Sequence, residues 1–549
     1  MALPCAPARG HVVNHGRIPP IRGLVRTDAR AVAAYAEAAG VHRIIPSLMA
    51  RPADAADLQT LVRWAIDTGT PLTARGAGSS MGGGAVGTGC LVDLRDLPRV
   101  LEIDVANRTA RVSANITLAE LADVAAPHGL HFPPDPSSRA WATVGGVIAT
   151  NAAGPRTVRD GAVRSWVEAA TFVDGRADLV TLARGTPTPL RYLALHETIR
   201  AERQRIRQAF PSTSKNSCGY ALDHAGTDLL QVLIGAEGTL GIVTEATLSL
   251  APIAAAKVSL RLVLDDLDQL TETIALLLPH RPAAVELLER SFLEIVAPQL
   301  APAFATELQD AAAVLLVDLE ADDTETLRRQ LDGISHALDG SGVALRAATS
   351  PIEAAELWAL RHAASPILAG LGETRRSLQI IEDGCVPVPQ LAAYIRAVRA
   401  ACDVAGVPCV LFGHAGDGHV HVNLLPSLED PDWRARITQI YAEVSAAVLR
   451  LGGTPSGEHG DGRLRAPLVS ERYPDDILVL FARVKQGFDP HGVLNPGVIL
   501  DQTGADPLAS LKVGLDAVPI PDDIAEALRH IERNRGWATD RLTLADAPR

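Results

Sequence analysis

The chain has 549 residues, of which 47% are hydrophobic and 21% charged, and it contains no apolar run long enough to span a membrane. This length and composition predict a globular protein with two substantial domains and exclude a fibrous or disordered chain. The net charge of −13 disfavours nucleic acid or an anionic membrane surface as the main partner, because both would repel the protein.

The start of the chain and its cysteines bear on the cellular compartment. Residues 1–20 lack an apolar block followed by a small-residue cleavage site, so we expect no secretory signal and a cytoplasmic location. The periphery of the inner membrane stays open as a second location. The six cysteines are scattered without a C-x-x-C pair, which disfavours an iron–sulfur cluster or a redox dithiol.

The first predicted elements form one unit around a glycine-rich loop. Asp54 is an expected N-cap, and apolar residues then repeat at helical spacing until Gly69. Pro71 to Arg75 predicts a strand that enters the loop Gly76 to Gly84, and Leu91 to Leu94 predicts a second buried strand after it.

Antiparallel strands are expected further along the chain. The segments Ala169 to Val173 and Asp178 to Leu182 flank Asp174-Gly175, a dipeptide typical of a two-residue hairpin turn. After the proposed boundary at Ala251-Pro252, alternating apolar residues predict a half-buried strand over Val258 to Leu264. Strands therefore mix with helices throughout.

Three helices are expected in the rest of the chain. Helical periodicity covers Leu391 to Cys402 and Ile437 to Leu451, and the second of these ends at Gly452-Gly453. A third helix is predicted over Asp522 to Arg533. The residues after Gly497 otherwise carry no recognisable chemistry, so we treat them as an appendage.

The loop from Arg75 to Gly84 is the first candidate binding site. Its small residues would let backbone N–H groups curl around a phosphate that no side chain obstructs. As a lone motif, an ordinary surface turn is at least as good an interpretation. The glycine spacing also differs from the Rossmann fingerprint.

Three further glycine-rich blocks favour phosphate binding. They are Pro133 to Ser138, Thr143 to Gly154 and Gly235 to Val243. With these blocks, residues 44–250 resemble the FAD-binding domain of the vanillyl-alcohol oxidase and p-cresol methylhydroxylase (PCMH) superfamily. The resemblance implies that the Arg75 loop holds the pyrophosphate of FAD.

The same resemblance implies which other residues contact the cofactor. Pro134 to Gly146 would line the flavin and ribityl chain, and Gly235 to Ile242 would approach the adenine. The expected FAD contacts are Arg75, Gly76, Ala77, Gly78, Ser79, Ser80, Gly82, Pro134, Asp135, Ser137, Ser138, Thr143, Gly145, Gly146, Asn151, Gly154, Glu237, Gly241 and Ile242. Some relatives attach FAD through histidine or cysteine, but residues 75–86 contain neither, so we predict non-covalent FAD.

A second candidate site lies in Gly413 to Asn423. If a strand runs from His419 to Leu425, its period of two places His419, His421 and Asn423 on one face. His414 precedes the glycine turn and would fold back towards His421, which gives a plausible metal pair. Without further sequence, structural histidines bonded to carbonyl groups are an equally good interpretation.

The segment Ser456 to Gly462 adds the chemistry that a metal pair lacks. Glu458 offers a carboxylate ligand, and His459 offers a base that titrates near neutrality. Two histidines and one carboxylate leave open positions for the hydroxyl and carboxylate of a 2-hydroxy acid. His459 would then remove the hydroxyl proton while a hydride leaves for flavin N5.

These motifs resemble the C-terminal domain of FAD-linked D-2-hydroxy-acid dehydrogenases, a group that includes D-lactate, glycolate and D-2-hydroxyglutarate dehydrogenases. The resemblance covers residues 255–500. It implies metal ligands His414, His421 and Glu458, the base His459 and the substrate-binding Asn423. Zinc is the first expectation for the metal and manganese the second.

The resemblance also implies a set of substrate contacts. Arg361 would clamp the substrate carboxylate beside Ser365, and a second cation would be Arg375 or Arg376. Asn495 lies in the family's final turn, which returns to the flavin. His419 departs from the family, since many relatives have asparagine there; it would add a ligand or change the polarity around the substrate.

We therefore predict an α+β protein with a two-subdomain PCMH-type FAD-binding domain followed by an α+β substrate domain of the FAD-linked oxidase C-terminal type. The expected divisions are an extension (1–43), the FAD-binding domain (44–252), the substrate and metal domain (253–500) and an appendage (501–549). The predicted activity is metal-assisted oxidation of a small D-2-hydroxy acid to the 2-oxo acid.

Several alternatives to this activity stay open. Two arginines, Arg361 and Arg376, would suit a substrate with two carboxylates, which slightly favours D-2-hydroxyglutarate over D-lactate or glycolate. A non-redox flavoenzyme of the alkylglycerone-phosphate synthase type and an oxygen-using oxidase are the competing activities. Because the chain lacks a cysteine-rich iron–sulfur extension, the electrons would pass to a separate acceptor such as a quinone or electron-transfer flavoprotein. The oligomeric state, a homodimer among the options, is also open.

Overall fold

The computed structural model describes residues 18–226, 228–299, 308–372, 374–501 and 504–547, without the side chains of residues 299, 364 and 365. Most of the predicted N-terminal extension, residues 1–17, lies outside these ranges, as does the side chain of Ser365. None of the helices in the described ranges is both long enough and apolar enough to cross a membrane.

The first half of the chain contains eleven strands and eight helices in the described ranges. They are β1 (Leu24–Arg26), α1 (Ala29–Ala34), β2 (Leu48–Arg51), α2 (Ala55–Thr68), β3 (Leu72–Arg75), β4 (Cys90–Asp93), β5 (Leu101–Asp104), β6 (Thr109–Ser113), α3 (Leu118–Ala125), β7 (Leu130–His131), α4 (Val144–Thr150), α5 (Thr157–Asp160), β8 (Val167–Asp174), β9 (Leu179–Ala183), α6 (Leu190–Ala201), α7 (Arg203–Ala209), α8 (Leu230–Leu233), β10 (Gly241–Ser249) and β11 (Ala251–Pro252).

These strands form two main sheets. The order β1-β2-β4-β3 pairs β4 with β2 and β3 in parallel, and α2 packs its apolar face beside this sheet. The order β5-β6-β10-β8-β9 is antiparallel. The loop that follows β3 therefore lies at the carboxyl end of a parallel strand, a position where ligands bind in many α/β sheets.

The rest of the chain alternates strands with longer helices. The elements are β12 (Ala256–Leu264), α9 (Asp268–Leu277), β13 (Ala284–Glu289), α10 (Arg290–Val296), β14 (Ala313–Ala321), α11 (Thr324–Ala337), β15 (Ala344–Ala347), α12 (Pro351–Ala369), β16 (Gly384–Cys385), α13 (Leu391–Ala405), β17 (Cys409–His414), β18 (His419–Leu424), α14 (Trp433–Arg450), α15 (Ala466–Arg472), α16 (Asp475–Phe488), α17 (Asp522–Arg533) and α18 (Arg541–Asp546).

One seven-stranded antiparallel sheet organises this half, in the order β15-β12-β14-β13-β17-β18-β16. Helices α9, α11, α13 and α14 contribute apolar residues to the core that covers one face. Helix α16 packs on the first half, where Phe481 and Phe488 join the core of the antiparallel sheet. Helix α15 contributes Val469 to that core and Leu468 to the core of the seven-stranded sheet. The chain thus returns to its first half before it ends.

The predicted elements are largely confirmed, with local corrections. The hairpin of β8 and β9 exists, but its turn is longer than two residues, because the Asp174 carboxylate accepts hydrogen bonds from the N–H groups of Arg176 and Asp178. Strand β12 is not half-buried, since residues 259–262 are all buried between neighbouring strands. After residue 500, α18 follows the predicted α17.

Candidate functional site

A cavity of about 910 Å³ joins the first half of the chain to the seven-stranded sheet. This volume is within the range of cofactor and ligand pockets. It is lined by sixteen of the expected FAD contacts: Arg75, Gly76, Ala77, Gly78, Ser79, Ser80, Asp135, Ser137, Ser138, Thr143, Gly145, Gly146, Gly154, Glu237, Gly241 and Ile242.

Four other expected contacts lie outside the cavity lining. The Asn151 side chain accepts a hydrogen bond from Arg164 N–H, and Asn495 donates to the carbonyl groups of Gly84 and Glu237, so both have structural roles. The Gly82 carbonyl accepts from Arg463 and Leu464 N–H groups. Pro134 lines a smaller neighbouring cavity.

The glycine loop has the properties of a phosphate cradle. Within the described ranges, the backbone N–H groups of residues 76–82 donate no hydrogen bond to protein. Gly78 has φ +76°, a conformation that favours glycine, and a Cβ atom there would collide with the Arg75 guanidinium. Among the described residues, the buried Ser80 hydroxyl and Trp141 indole N–H also have no partner. The free backbone N–H groups of the loop fit the phosphates of FAD.

The hairpin of β17 and β18 positions the histidines. Its tight turn contains Gly418 at φ +69°, where a Cβ atom would collide with the Val386 carbonyl. Beyond the turn, β18 is a strand as predicted, so His419 and His421 share a face. His414 ends β17, and the register places it opposite Glu286 of β13.

The predicted ligands converge at one point. The Nε2 atoms of His414 and His421 are 3.3 Å apart, and they lie 3.2 and 3.5 Å from Oε1 of Glu458. All three side chains are buried and line the cavity. Burial would raise the pKa of Glu458, but neighbouring positive charges, above all that of Lys215, outweigh burial and hold the pKa well below its usual range.

Other groups fix the orientation of both imidazoles. His414 Nδ1 lies 2.6 Å from Glu286 Oε1, and His421 Nδ1 lies 3.1 Å from the Glu382 carbonyl oxygen. Burial disfavours a charge on Glu286, but His414 and Arg361 outweigh burial and lower its pKa to about 2. Both histidines therefore present Nε2 to Glu458, an arrangement typical of metal-ligating histidines.

His459 lies beside this cluster, with its ring stacked on that of His421. Its Nδ1 is 2.6 Å from Glu382 Oε2, while its Nε2 is 3.5 Å from Glu458 Oε1. Burial would lower its pKa, but Glu382 and Asp383 outweigh burial and raise the pKa to about 10. The imidazole is thus held by one nitrogen, and the other faces the ligand cluster.

His419 is close enough to join the ligand group. It belongs with His414, His421 and Glu458 to a set whose ligand atoms all lie within 4.8 Å of one another. Its Nε2 is 3.0 Å from Asp383 Oδ1, and its buried Nδ1 has no partner among the residues that the structure describes. Burial lowers its pKa to about 3, so the ring is neutral.

Arg361 lies where a carboxylate clamp is expected. Helix α12 brings it to the cavity, its Nε donates to Glu286 Oε2 at 2.7 Å, and its guanidinium stacks over the Phe412 ring. Trp358, one helical turn away, donates to Asp318 and lines the same wall. Since Nε makes the ion pair, the terminal guanidinium nitrogens can bind an anion.

Three other residues predicted as substrate contacts, Asn423, Arg375 and Arg376, do not line the cavity. The Asn423 side-chain oxygen accepts hydrogen bonds from Ser377 Oγ and Gln379 Nε2. Gln379 lines the cavity, whereas Asn423 does not. Arg375 and Arg376 also lie away from the cavity lining. The described arginines and lysines that do line the cavity are Arg75, Arg139, Arg156, Lys257, Arg361 and Arg535.

Lys215 is the main site residue that the sequence analysis missed. It is completely buried, and its Nζ lies 2.6 Å from Glu458 Oε2 and 3.2 Å from the Gly154 carbonyl. Burial would lower its pKa, but the carboxylates of Glu458 and Asp417 raise it. Lysine occurs at only four positions in the sequence, and this rarity was the available signal.

Two stretches of the chain match known protein families. Residues 46–183 match the family described as FAD binding domain, and residues 253–499 match FAD linked oxidases, C-terminal domain. The order of the two agrees with the sequence-based expectation of a cofactor half followed by a substrate half.

Three full-length relatives are informative. The chain is 28% identical to the glycolate oxidase subunit GlcD of Bacillus subtilis, with 83% of this chain and 89% of the relative covered. It is 28% identical to a D-lactate dehydrogenase of Anaerostipes hadrus, with 88% and 95% covered. An uncharacterized FAD-linked oxidoreductase of Mycobacterium tuberculosis is 30% identical, with 83% and 92% covered.

Solved structures share the fold at low identity. A 4-ethylphenol oxidase from Gulosibacter chungangensis superposes with a TM-score of 0.65 at 17% identity, over 87% of this chain and 94% of that one. An alkyldihydroxyacetonephosphate synthase superposes with a TM-score of 0.63 at 14% identity, over 86% and 82%. These likenesses confirm the predicted α+β fold with its PCMH-type FAD-binding domain. The chain therefore belongs to the family of FAD-linked oxidoreductases that includes D-lactate dehydrogenases and glycolate oxidase subunits.

Proposed function

We propose that this protein oxidises a small D-2-hydroxy acid to the 2-oxo acid, with non-covalent FAD and a divalent metal ion. One observation carries the proposal: the cavity places the phosphate-cradling loop and the cluster of His414, His421, Glu458 and His459 on the walls of a single space. When bound, FAD supplies an acceptor for two electrons and the metal supplies a Lewis acid. The relatives named for lactate and glycolate support this class of substrate.

His414, His421 and Glu458 would hold the metal, zinc first and manganese second. Two imidazole nitrogens and a carboxylate oxygen converge within 3.5 Å of one another, and each histidine has its other nitrogen bonded. His419 adds a fourth nearby donor. This donor set suits either metal.

Arg361 and His459 would act on the substrate itself. The free guanidinium nitrogens of Arg361 would bind the carboxylate, and His459 Nε2 would accept the hydroxyl proton. In the metal-free site its pKa is raised to about 10. A divalent metal ion bound by the neighbouring ligands would repel the positive charge of protonated His459 and lower its pKa. This would favour the neutral imidazole that a base requires.

The cations that line the cavity bear on the chain length of the substrate. Arg376 lies away from the cavity, which removes one reason to favour the diacid D-2-hydroxyglutarate over D-lactate or glycolate. Lys257 lines the cavity and offers another cation for a second carboxylate. The electron acceptor would be a separate quinone or electron-transfer flavoprotein.

A non-redox synthase is the competing function, because a synthase shares the fold. The absorbance of the flavin band in FAD-loaded protein, measured without oxygen after a substrate is added, distinguishes an oxidising enzyme from a synthase. We expect one acid among D-lactate, glycolate, D-malate and D-2-hydroxyglutarate to bleach the band, and L-lactate and L-2-hydroxyglutarate to fail. Chelation should stop the bleaching without releasing FAD, and zinc or manganese should restore it. If a metal-loaded sample is bleached by none of these acids, the oxidation proposal is wrong.

A further inference from the structure

Glu458, one of the proposed metal ligands, uses its two carboxylate oxygens in different ways. Its Oε1 faces the imidazoles, 3.2 Å from His414 Nε2 and 3.5 Å from His421 Nε2. Its Oε2 instead accepts a hydrogen bond from Lys215 Nζ at 2.6 Å. The lysine therefore binds one oxygen and leaves the other to the ligand cluster.

Three acceptors surround the Lys215 ammonium group. Besides Glu458 they are the Gly154 carbonyl, at 3.2 Å, and Asp417 Oδ2, at 3.6 Å. An ammonium group has three N–H donors, so the acceptors match the donors in number. The lysine side chain is completely buried, and it is not among the residues that line the cavity. Lys215 thus contacts a proposed metal ligand without facing the space where FAD and substrate would lie.

The residues on both sides of Lys215 are bonded to the segments that carry the ligands. Ser217 N–H donates to the Ser456 carbonyl at 2.8 Å, two residues before the ligand carboxylate. Ser214 Oγ donates to Asp417 Oδ1 at 2.8 Å, in the turn that joins β17 to β18. The position of the lysine relative to the ligand cluster is therefore defined by its neighbours in the sequence.

Groups that orient metal ligands contribute to metal affinity, because they hold each ligand in its binding orientation before the metal arrives. The two histidines have such groups, since Glu286 bonds to Nδ1 of His414 and the Glu382 carbonyl lies beside Nδ1 of His421. The carboxylate ligand has Lys215 in the equivalent position. All three ligands would then be oriented by neighbours that do not themselves bind the metal.

We propose that Lys215 is a positioning residue, which holds Oε2 of Glu458 so that Oε1 is presented to the divalent metal ion. This role rests on the proposed function, because it requires a metal at His414, His421 and Glu458. Orientation and charge act in opposite directions here. The positive charge of the lysine repels a divalent metal ion, whereas the oriented carboxylate favours its binding. In this proposal orientation outweighs repulsion, so losing the lysine weakens metal binding.

The zinc affinity of the FAD-loaded protein tests this role without any turnover. Dialysis to equilibrium against a chelator of known affinity, followed by elemental analysis of the protein, measures it. We expect Lys215→Met, which has a similar shape but no N–H donor, to bind zinc roughly 10- to 100-fold more weakly than the wild type. A role of the charge alone predicts tighter binding. Zinc affinity equal to or above that of the wild type would therefore overturn the proposal.

A second substitution shows whether Lys215 acts through Glu458. Glu458→Gln should itself weaken zinc binding, because it replaces a carboxylate ligand by an amide. Adding Lys215→Met to this variant should cause little further loss, since the lysine then has no carboxylate to orient. A merely structural role predicts that the two losses add, and that result would contradict the proposal.

Lys485→Met is the matched control. Lys485 is also a buried lysine, and its Nζ donates to Asp489 Oδ2 and to the carbonyl groups of Thr239 and Leu494, each at 2.7 Å. We expect this variant to lose stability but to bind zinc as the wild type does. An equal loss of zinc affinity in the two methionine variants would refute a specific role of Lys215.

Two further results separate this role from the proposed function. If the wild type binds neither zinc nor manganese, the metal site and the role of Lys215 both fail. If the wild type binds zinc and Lys215→Met binds it equally well, only the role of Lys215 fails. Should Lys215→Met not fold, Lys215→Gln replaces it; this variant keeps a shorter N–H donor, so its zinc affinity should fall by a smaller factor.

Discussion

At the scale of single residues, His459 shows how neighbouring carboxylates define a functional side chain. Glu382 Oε2 holds its Nδ1, and Asp383 accepts a hydrogen bond from its backbone N–H at 2.9 Å. The ring orientation is therefore determined by two residues far away in the sequence. Because Nδ1 is bonded, Nε2 is the nitrogen available to a substrate.

We predict that His459→Gln lowers kcat by roughly 10²- to 10⁴-fold, the usual loss when a positioned base is removed. FAD should stay bound with an unchanged absorbance spectrum, since His459 lies beside the proposed metal ligands and is not among the proposed FAD contacts. Steady-state kinetics with the acid that bleaches the flavin measures the effect. The exposed His128→Gln serves as the control. Activity close to wild type in His459→Gln would remove it from the proton transfer.

Glu237 is a buried carboxyl with a different role. It lies in the cavity wall, where Gly462 N–H donates to its two oxygens at 3.0 and 3.1 Å. Burial and the charge of Asp461 raise its pKa to about 8, although Arg465 acts in the opposite direction. Near neutral pH the folded protein therefore holds a proton here that the unfolded chain has lost.

This difference predicts a pH-dependent stability. Between the ordinary pKa of 4.5 and the folded value of about 8, the native state binds more protons than the unfolded state, so stability falls as the pH rises through this range. Thermal unfolding of the FAD-free protein between pH 6 and pH 9 measures the slope. Glu237→Gln should flatten it and melt higher than the wild type at pH 9. Parallel curves for the two proteins would contradict this assignment.

At the scale of elements, helix α2 illustrates how local sequence signals act. Asp54 accepts hydrogen bonds from the N–H groups of Ala56 and Asp57, and Gly69 ends the helix at φ +67°. Both ends were expected from the sequence, because capping depends only on nearby residues. The helix in turn supports β3, after which the glycine loop begins.

We predict that Asp54→Ala lowers the free energy of unfolding by about 1 kcal/mol, the usual effect of losing an N-cap. Its ion pair with the exposed Arg22 adds little, because solvent screens surface pairs. The measurement is a shift of the denaturant midpoint. Asp67→Ala, an exposed change near the other end of the same helix, should leave the midpoint almost unchanged. An equal shift in both variants would mean that the cap has no special role.

At the scale of the whole molecule, the cavity depends on contact between the two halves of the chain. Arg156 from the first half lies 2.7 Å from Glu320 of β14, and Arg159 lies 2.9 Å from the same side chain. Burial would raise the pKa of Glu320, but the two arginines lower it. These ion pairs join the cofactor half to the sheet that carries the histidines.

The sequence by itself determined the features that depend on short-range geometry. The glycine loop after β3, the period of two in His419 to Leu424, and the spacing of Glu458 and His459 all led to the correct elements and to the observed cluster. The resemblance to known families added the order of the two domains. These signals lie within a few residues of one another, so no tertiary information is needed to see them.

Only the tertiary structure decided the partners of these groups. Lys215 meets Glu458 across 243 residues, and Glu286 meets His414 across 128 residues. The appendage packs Leu542 into the same apolar cluster as residues of α1 and brings Trp537 to the cavity wall. Burial and ion pairing depend on which distant segments pack together, and one sequence carries no periodic signal for such contacts. That is the physical reason why the orienting carboxylates and the C-terminal part of the cavity wall became visible only in the folded molecule.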